Sequence, residues 1–493
     1  MKKTLSLLLA LIHLLSACAA NPGAAGTENA AGNGSGAGAD NSAGAEEGPE
    51  ETEFSADSLF RIEKTDYEGR TFHLLTTETQ QYEFDAEEYT GEGVNDAIYD
   101  RNAAVAELLG IEFDFIYRPG DWSNRDSFCK LIESSVLAAD GAYDVTSGMV
   151  SCVMPIAGAS MFHNLYDIPE LNMENPWWVT EMPKDLTLGG KLYGIIGDTC
   201  LSMYKGLSVI FANVTMLNNY QAEDIHGIVR ENRWTIDKMA EMSAAYALDG
   251  NGDGQLQTDV DTVGMSVYDV SFRSMQASLG CPVIGVGDDG LPYVLPASER
   301  TATAVEKLRA MFSSPFVPEK DNEAEMSAIF ASQHAVFYMG KLQSLDQFRD
   351  MENDYAVIPF PKFDETQNKY YSLIPTASQI LFVPVTVTET EFVGRTLEAL
   401  SYYSWKGVVP QYYEVSLKTK LARDASTREM LDIIRDGAIL PFDYAYSTVL
   451  AGSPWPNQVI SQCALGNFEY ASAIKANEKS WNANIKKVME RYE

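Results

Sequence analysis

Past the first sixty residues, two kinds of periodicity alternate along the chain. Short apolar runs at 71–76, 111–116, 143–146, 207–212, 335–338, 355–358 and 380–383 have the length and the β-branched or aromatic content of strands. Between them, apolar residues return every three or four positions, as at Ala97, Ile98, Ala104, Val105, Leu108 and Leu109. That spacing predicts helices over 94–109, 128–137, 235–245, 302–312, 391–405 and 429–434, with a closing amphipathic helix over 470–491. Thr235 suits an N-cap, and Asp237 favours the positive end of the same helix. Strands alternating with helices of this length predict an α/β fold with a largely parallel sheet. Ligands of such sheets bind beyond the carboxyl ends of the strands.

The first sixty residues are patterned differently. Lys2 and Lys3 precede an apolar stretch, Leu5 to Leu15, too short to span a bilayer, and Ser16-Ala17-Cys18 follows it. This is a secretory signal over 1–18 ending in a cleavage site. It resembles the bacterial lipobox, in which the cysteine is diacylated, so the resemblance implies a chain lipid-anchored through Cys18 at the extracellular face of the cell membrane. Residues 19–58 are rich in Ala, Gly, Asn, Ser and Glu. They hold eight acids, the last of them Asp57, and neither Lys nor Arg. Such a segment cannot bury a core and reads as a disordered tether. As a flexible coil it reaches on the order of 35 Å.

The whole chain of 493 residues is long enough for two or three domains, and 45% of it is hydrophobic. It carries 70 acids against 36 Lys and Arg, a formal charge of −34. That field repels nucleic acid, so no nucleic-acid partner is expected. With Cys18 assigned to the lipid, Cys129, Cys152, Cys200, Cys281 and Cys463 remain, and none stands in a C-x-x-C pair. This is neither a disulfide framework nor a zinc pattern. Buried thiols are expected, with a single oxidised pair as the alternative. No Gly-x-Ser-x-Gly elbow, H-E-x-x-H or phosphate loop is present. With so many carboxylates, counting them decides nothing about a glycosidase pair.

Several segments carry a wider resemblance by their order and spacing. They are Asn95-Asp96-Ala97-Ile98-Tyr99-Asp100-Arg101-Asn102, Tyr143-Asp144-Val145, and Gly189-Gly190-Lys191-Leu192-Tyr193-Gly194 ahead of the strand at 207–212. Trp234-Thr235-Ile236-Asp237, Ala335-Val336-Phe337-Tyr338-Met339-Gly340 and Tyr355-Ala356-Val357-Ile358-Pro359 follow. Over about residues 60–493 the chain resembles the sugar-type extracellular solute-binding proteins of bacterial ABC importers, the group that includes maltose-binding protein. The resemblance implies a two-lobed, type II periplasmic-binding-protein-like fold with the ligand in a cleft between the lobes. The first lobe would be 60–200 plus 365–410 and the second 205–360, with 411–493 shared and crossings near 198–206 and 360–373. It further implies a small-molecule solute, most simply a mono- or oligosaccharide, and ABC permease subunits as partners. No catalysis and no required cofactor are implied. A surface glycoside-active enzyme, or a sensor or adhesion protein on the same fold, is the alternative.

By position in the family order, the cleft candidates are Thr77 and Glu78 after the first strand, and Ser147 and Met149 after Tyr143-Asp144-Val145. Asp198 and Tyr204 stand at a crossing, Tyr338 and Lys341 at the Gly340 turn, and Thr376 on the return. Of the seven Trp, Trp455, in a loop with Pro on both sides, is the candidate to stack on a sugar ring, whose C–H face is apolar. A separate motif runs from Asp249. Oxygen-bearing side chains at Asp249, Asn251, Asp253 and Gln255, with Gly254 sixth, match the start of a calcium loop. Val260 stands where the loop's bidentate Glu belongs, and neighbouring Asp261 could close the shell. Similar loops in the resembled family look like structural calcium sites, and a hydrated turn without metal is the duller reading.

Overall fold

The computed structural model describes residues 56–320, 322–348, 350–417 and 425–493. The expected signal with Cys18, and the tether as far as residue 55, lie outside them. The last residues assigned to the tether are ordered. Ala56–Leu59 form a 3-10 turn, and the Asp57 carboxylate accepts hydrogen bonds from the Tyr402 hydroxyl at 2.9 Å and Lys406 Nζ at 3.1 Å.

Two five-stranded sheets organise the fold. The first has the order β2-β1-β3-β13-β4, built from β1 (Arg70–Thr77), β2 (Ile111–Arg118), β3 (Val145–Met149), β4 (Gly194–Ile195) and β13 (Gln379–Phe382). The second has the order β11-β5-β10-β6-β9. Its strands are β5 (Ser208–Asn213), β6 (Val263–Tyr268), β9 (Glu319–Lys320), β10 (Ala335–Lys341) and β11 (Tyr355–Ile358). A hairpin pairs β7 (Ile284–Val286) with β8 (Pro292–Val294), and β12 (Ser372–Leu373) lies parallel to β14 (Ala438–Ile439).

Each sheet has one reversed strand. In the first, β13 runs antiparallel to both its neighbours, β3 and β4. In the second, β5 runs antiparallel to both β10 and β11. These are the strands the chain enters directly from the other sheet: β5 follows β4, and β13 follows the β11–β12 segment. A strand entered by a short crossing begins at the edge where its parallel neighbours end. Both crossings therefore meet the carboxyl edges of the two sheets, the place where open α/β sheets bind ligands.

The helices arise as their patterns predict. Gly93–Leu109 buries Ile98, Arg101, Val105 and Leu109 along one stripe. It stops at Gly110, whose φ of 61° only glycine adopts freely and whose approach to Asp66 leaves no room for a side chain. Arg101, inside the segment that carried the family resemblance, is buried and donates to the carbonyls of Glu83 and Phe84 at 2.9 and 2.7 Å. Thr235 caps Ile236–Tyr246 by accepting from Lys238 N at 3.2 Å. The closing helix is Tyr470–Tyr492, and no described helix is long and apolar enough to cross a membrane.

Candidate functional site

The carboxyl edge of the second sheet and the returning crossing together form a pocket. Tyr268 ends β6, and Gly340 and Lys341 end β10, two parallel strands in register at Tyr338 and Ser266. Ser208 opens the reversed β5 directly opposite Lys341. Leu373, Pro375 and Thr376 of the crossing close one side, and Tyr444 and Asn457 come from the C-terminal part. Its enclosed volume is about 80 Å³, well below the roughly 300–1,000 Å³ of small-molecule sites. A sugar-sized occupant requires the walls to part.

The lining is dense in hydroxyls. Ser208 and Ser274 hydroxyls lie 2.7 Å apart, and the Ser271 hydroxyl donates to Met339 O at 3.1 Å. Tyr444 donates to the backbone carbonyl of Arg273, and burial raises its phenol far above the ordinary tyrosine value. Lys341 Nζ stands 2.9 Å from Glu323 Oε2, at the start of the helix Glu323–Ala331. Gly340 is required by close packing: a Cβ there would strike the Tyr338 ring at 2.4 Å.

The candidates read from sequence separate into groups. Lys341 and Thr376 line the pocket. Trp455 is half-buried two residues before the pocket's Asn457. Thr77 and Met149 end β1 and β3 and Ser147 is in the middle of β3, all buried, and Glu78 beyond β1 is exposed. The Ser147 hydroxyl is spent within the sheet, donating to Gln379 Oε1 at 3.2 Å. Tyr338 is in the core of the second sheet, stacked on Phe211 with ring centres 5.7 Å apart.

Asp198 lines a different cavity of about 350 Å³, shared with Arg435 on Ala425–Asp436, and Tyr204 is buried beside it. Tyr204 donates to Asp198 Oδ1 at 2.6 Å, and Arg435 Nε donates to the Tyr204 oxygen at 3.0 Å. Burial works against the charge of Arg435, but Asp198 and Tyr204 outweigh it and push its pKa up.

Sequence reasoning missed Tyr268, Ser271, Arg273 and Ser274, because 263–278 carries no clear strand or helix period. The usable signal was the order of elements: a strand between the helices at 235–245 and 302–312 had to end at the same edge. Asn457 was within reach, since it shares the Trp455 loop.

The 249–261 loop is closed by its own backbone. Asp249 accepts from the amides of Gly252 and Gly254 at 2.6 and 2.8 Å, and Asp261 from those of Gly250 and Gln257 at 2.9 and 2.7 Å. Asn251 and Asp253 each cap an amide two residues on, while Gln255 makes no side-chain contact of this kind. The oxygen donors suit calcium in kind. Among the described residues, however, no group of three or more His, Cys, Asp or Glu is placed to hold a metal.

No protein-family model matches the chain, and no curated protein matches it by sequence. Solved structures do match. The cyclic α-maltosyl-1,6-maltose binding protein of Arthrobacter globiformis aligns with a TM-score of 0.53 at 13% identity, over 85% of this chain and 100% of its own. An ABC transporter solute-binding protein of Thermotoga lettingae, bound with α-D-tagatose, aligns at 0.51 and 14%, over 85% and 100%. An ABC substrate-binding protein of Listeria monocytogenes, in complex with cycloalternan, aligns at 0.50 and 13%, over 86% and 100%. The chain shares the two-lobed α/β fold of these sugar-binding proteins.

Proposed function

We propose that this chain is the substrate-binding component of an ABC importer, taking up an extracellular mono- or oligosaccharide by closing its two sheets on it. The observation that carries the reading is the pocket's place: it lies where β6 and β10 end, β5 begins and the return crossing passes. Residues at such a junction move relative to one another when a hinge bends, so a ligand touching all of them favours the closed state. Hydroxyls of Ser208, Ser271, Ser274, Tyr268 and Thr376 can exchange hydrogen bonds with sugar hydroxyls, and Trp455 is near enough in sequence to supply an apolar face.

Capture ends in handover to permease subunits, with no bond broken. The lipid on Cys18 holds the protein at the extracellular face, and residues 19–55 give it reach. Calcium in the Asp249 loop would require Asp249, Asn251, Asp253 and Asp261 to turn toward it from their present amide partners, with Gln255 joining them, and would act structurally by pinning the loop between Tyr246 and β6.

A thermal-shift screen over sugars, peptides and amines tests the reading. A ligand at 100 times its dissociation constant adds about 2.7 kcal/mol to stability, an easily seen rise in melting temperature. A sugar that raises it supports the proposal; a peptide that does so while every sugar fails overturns it.

A further inference from the structure

Arg273 stands in the pocket wall with no counter-ion among the described residues. Its Nε is buried and has no hydrogen-bond partner, and its guanidinium makes no ion pair among the described residues. This is unusual company for a chain with 70 acids and 36 bases. Arg435, Arg233 and Arg395 each meet a carboxylate within 3.2 Å. Lys341, in the same pocket, is neutralised by Glu323.

Position makes the missing partner informative. Arg273 lies in the helix Asp269–Ser278 that follows β6, and its backbone carbonyl is fixed by the Tyr444 hydroxyl. The next residue, Ser274, touches Ser208 at the mouth of the first crossing. Three residues before Ser208, Lys205 makes no ion pair among the described residues either. Its ammonium sits 3.5 Å from the centre of the Tyr82 ring, on the first-sheet side of that crossing. A guanidinium in the pocket wall, its buried Nε without a partner among the described residues, is a fork that matches a carboxylate or sulfate.

From this geometry we infer that the cleft selects an acidic saccharide, one bearing a uronate carboxylate or a sulfate ester, and that Arg273 is the residue that binds the anionic group. The inference rests on the reading that this cleft takes a sugar. A neutral sugar would leave the Arg273 charge desolvated and unpaired on closure, which weakens binding. Acidic and neutral sugars of equal length therefore differ in affinity.

The test titrates the full chain with trigalacturonate, neutral galactotriose and a sulfated disaccharide, using calorimetry at low and high salt. Trigalacturonate or the sulfated sugar should bind, and which one does identifies the anion. The bound acidic sugar should lose about 10- to 100-fold in affinity in Arg273→Gln. Arg273→Lys should recover part of it, and salt should weaken wild-type binding. Thermal melting of each variant without ligand reports whether it is folded. Galactotriose binding while both acidic sugars fail overturns the inference and leaves the sugar reading standing. Equal loss of all ligands in folded Arg273→Gln overturns the anion role. Failure of every sugar with binding of a peptide removes the underlying reading itself.

Discussion

Arg435 Nη2 lies 3.1 Å from each carboxylate oxygen of Asp198. Asp198 stands at the start of the first crossing and Arg435 just before β14, so this buried pair ties the crossing to the C-terminal part. Removing one partner of such a pair leaves a charge buried without its counterpart and costs about 3–5 kcal/mol. Asp198→Asn and Arg435→Met should each destabilise on that scale. The double variant should cost less than the sum, because the shared interaction is lost only once. Denaturant melts of the four proteins measure it, and simple additivity would show that the pair is not coupled.

Asp443 gives stability a pH dependence of predictable sign. Its carboxyl is fully buried, and burial raises its pKa from 3.8 to about 7 against the amides of Val283 and Ile284 and the Gln276 side chain. In the folded protein it therefore keeps a proton that the unfolded chain releases near pH 4. Its contribution to stability is full below that value and falls as pH rises toward 7, by about 1.4 kcal/mol per unit. Asp443→Asn removes the titration, so the variant should gain on wild type steadily between pH 4 and pH 7 in thermal melts. A constant difference over that window would contradict the assignment.

Cys129 and Cys152 Sγ atoms lie 2.8 Å apart, both as free thiols, on neighbouring helices of the first-sheet side. Sequence reading allowed one oxidisable pair among five cysteines, and proximity designates this one. Mild oxidation with diamide, which takes up the two hydrogens as the S–S bond forms, should remove two titratable thiols and join the peptides that contain them. Cys200, Cys281 and Cys463 should stay reduced. Mapping by mass spectrometry decides it, and a bridge between any other pair would refute it.

Most elements were legible because their periods were clean. The stripe at Ile98, Val105 and Leu109 and the run at Tyr355–Ile358 admit only one assignment. Val263–Tyr268 escaped notice because its Gly264 and Ser266 break the apolar run, although β6 is central to the second sheet. What makes it a strand is tertiary: Gly264 lets the Ser243 backbone approach closely, and β10 and β9 flank it on either side. Of the two candidates at the Gly340 turn, Lys341 lies in the pocket wall and Tyr338 in the aromatic core. Alternation along β10 sends Tyr338 into the aromatic core, and one-dimensional spacing does not say which face is the core. Arg273 was invisible to sequence, since its significance is a partner that is missing in space.

The Asp249 loop offers an independent check. If calcium fills it, a chelator should lower the melting temperature, added calcium should restore it, and magnesium, which demands a tighter octahedral shell, should not. Asp249→Asn should melt at the chelated temperature under both conditions. An unchanged melt with chelator reduces the loop to a turn held by its own amides.

Native mass spectrometry of the purified chain, incubated for hours with a panel of neutral and acidic oligosaccharides, bears most directly on capture without chemistry. A one-to-one complex should persist, and the sugar released from it should keep its original mass. Shortened sugars in solution, or no complex with any member of the panel, would contradict it.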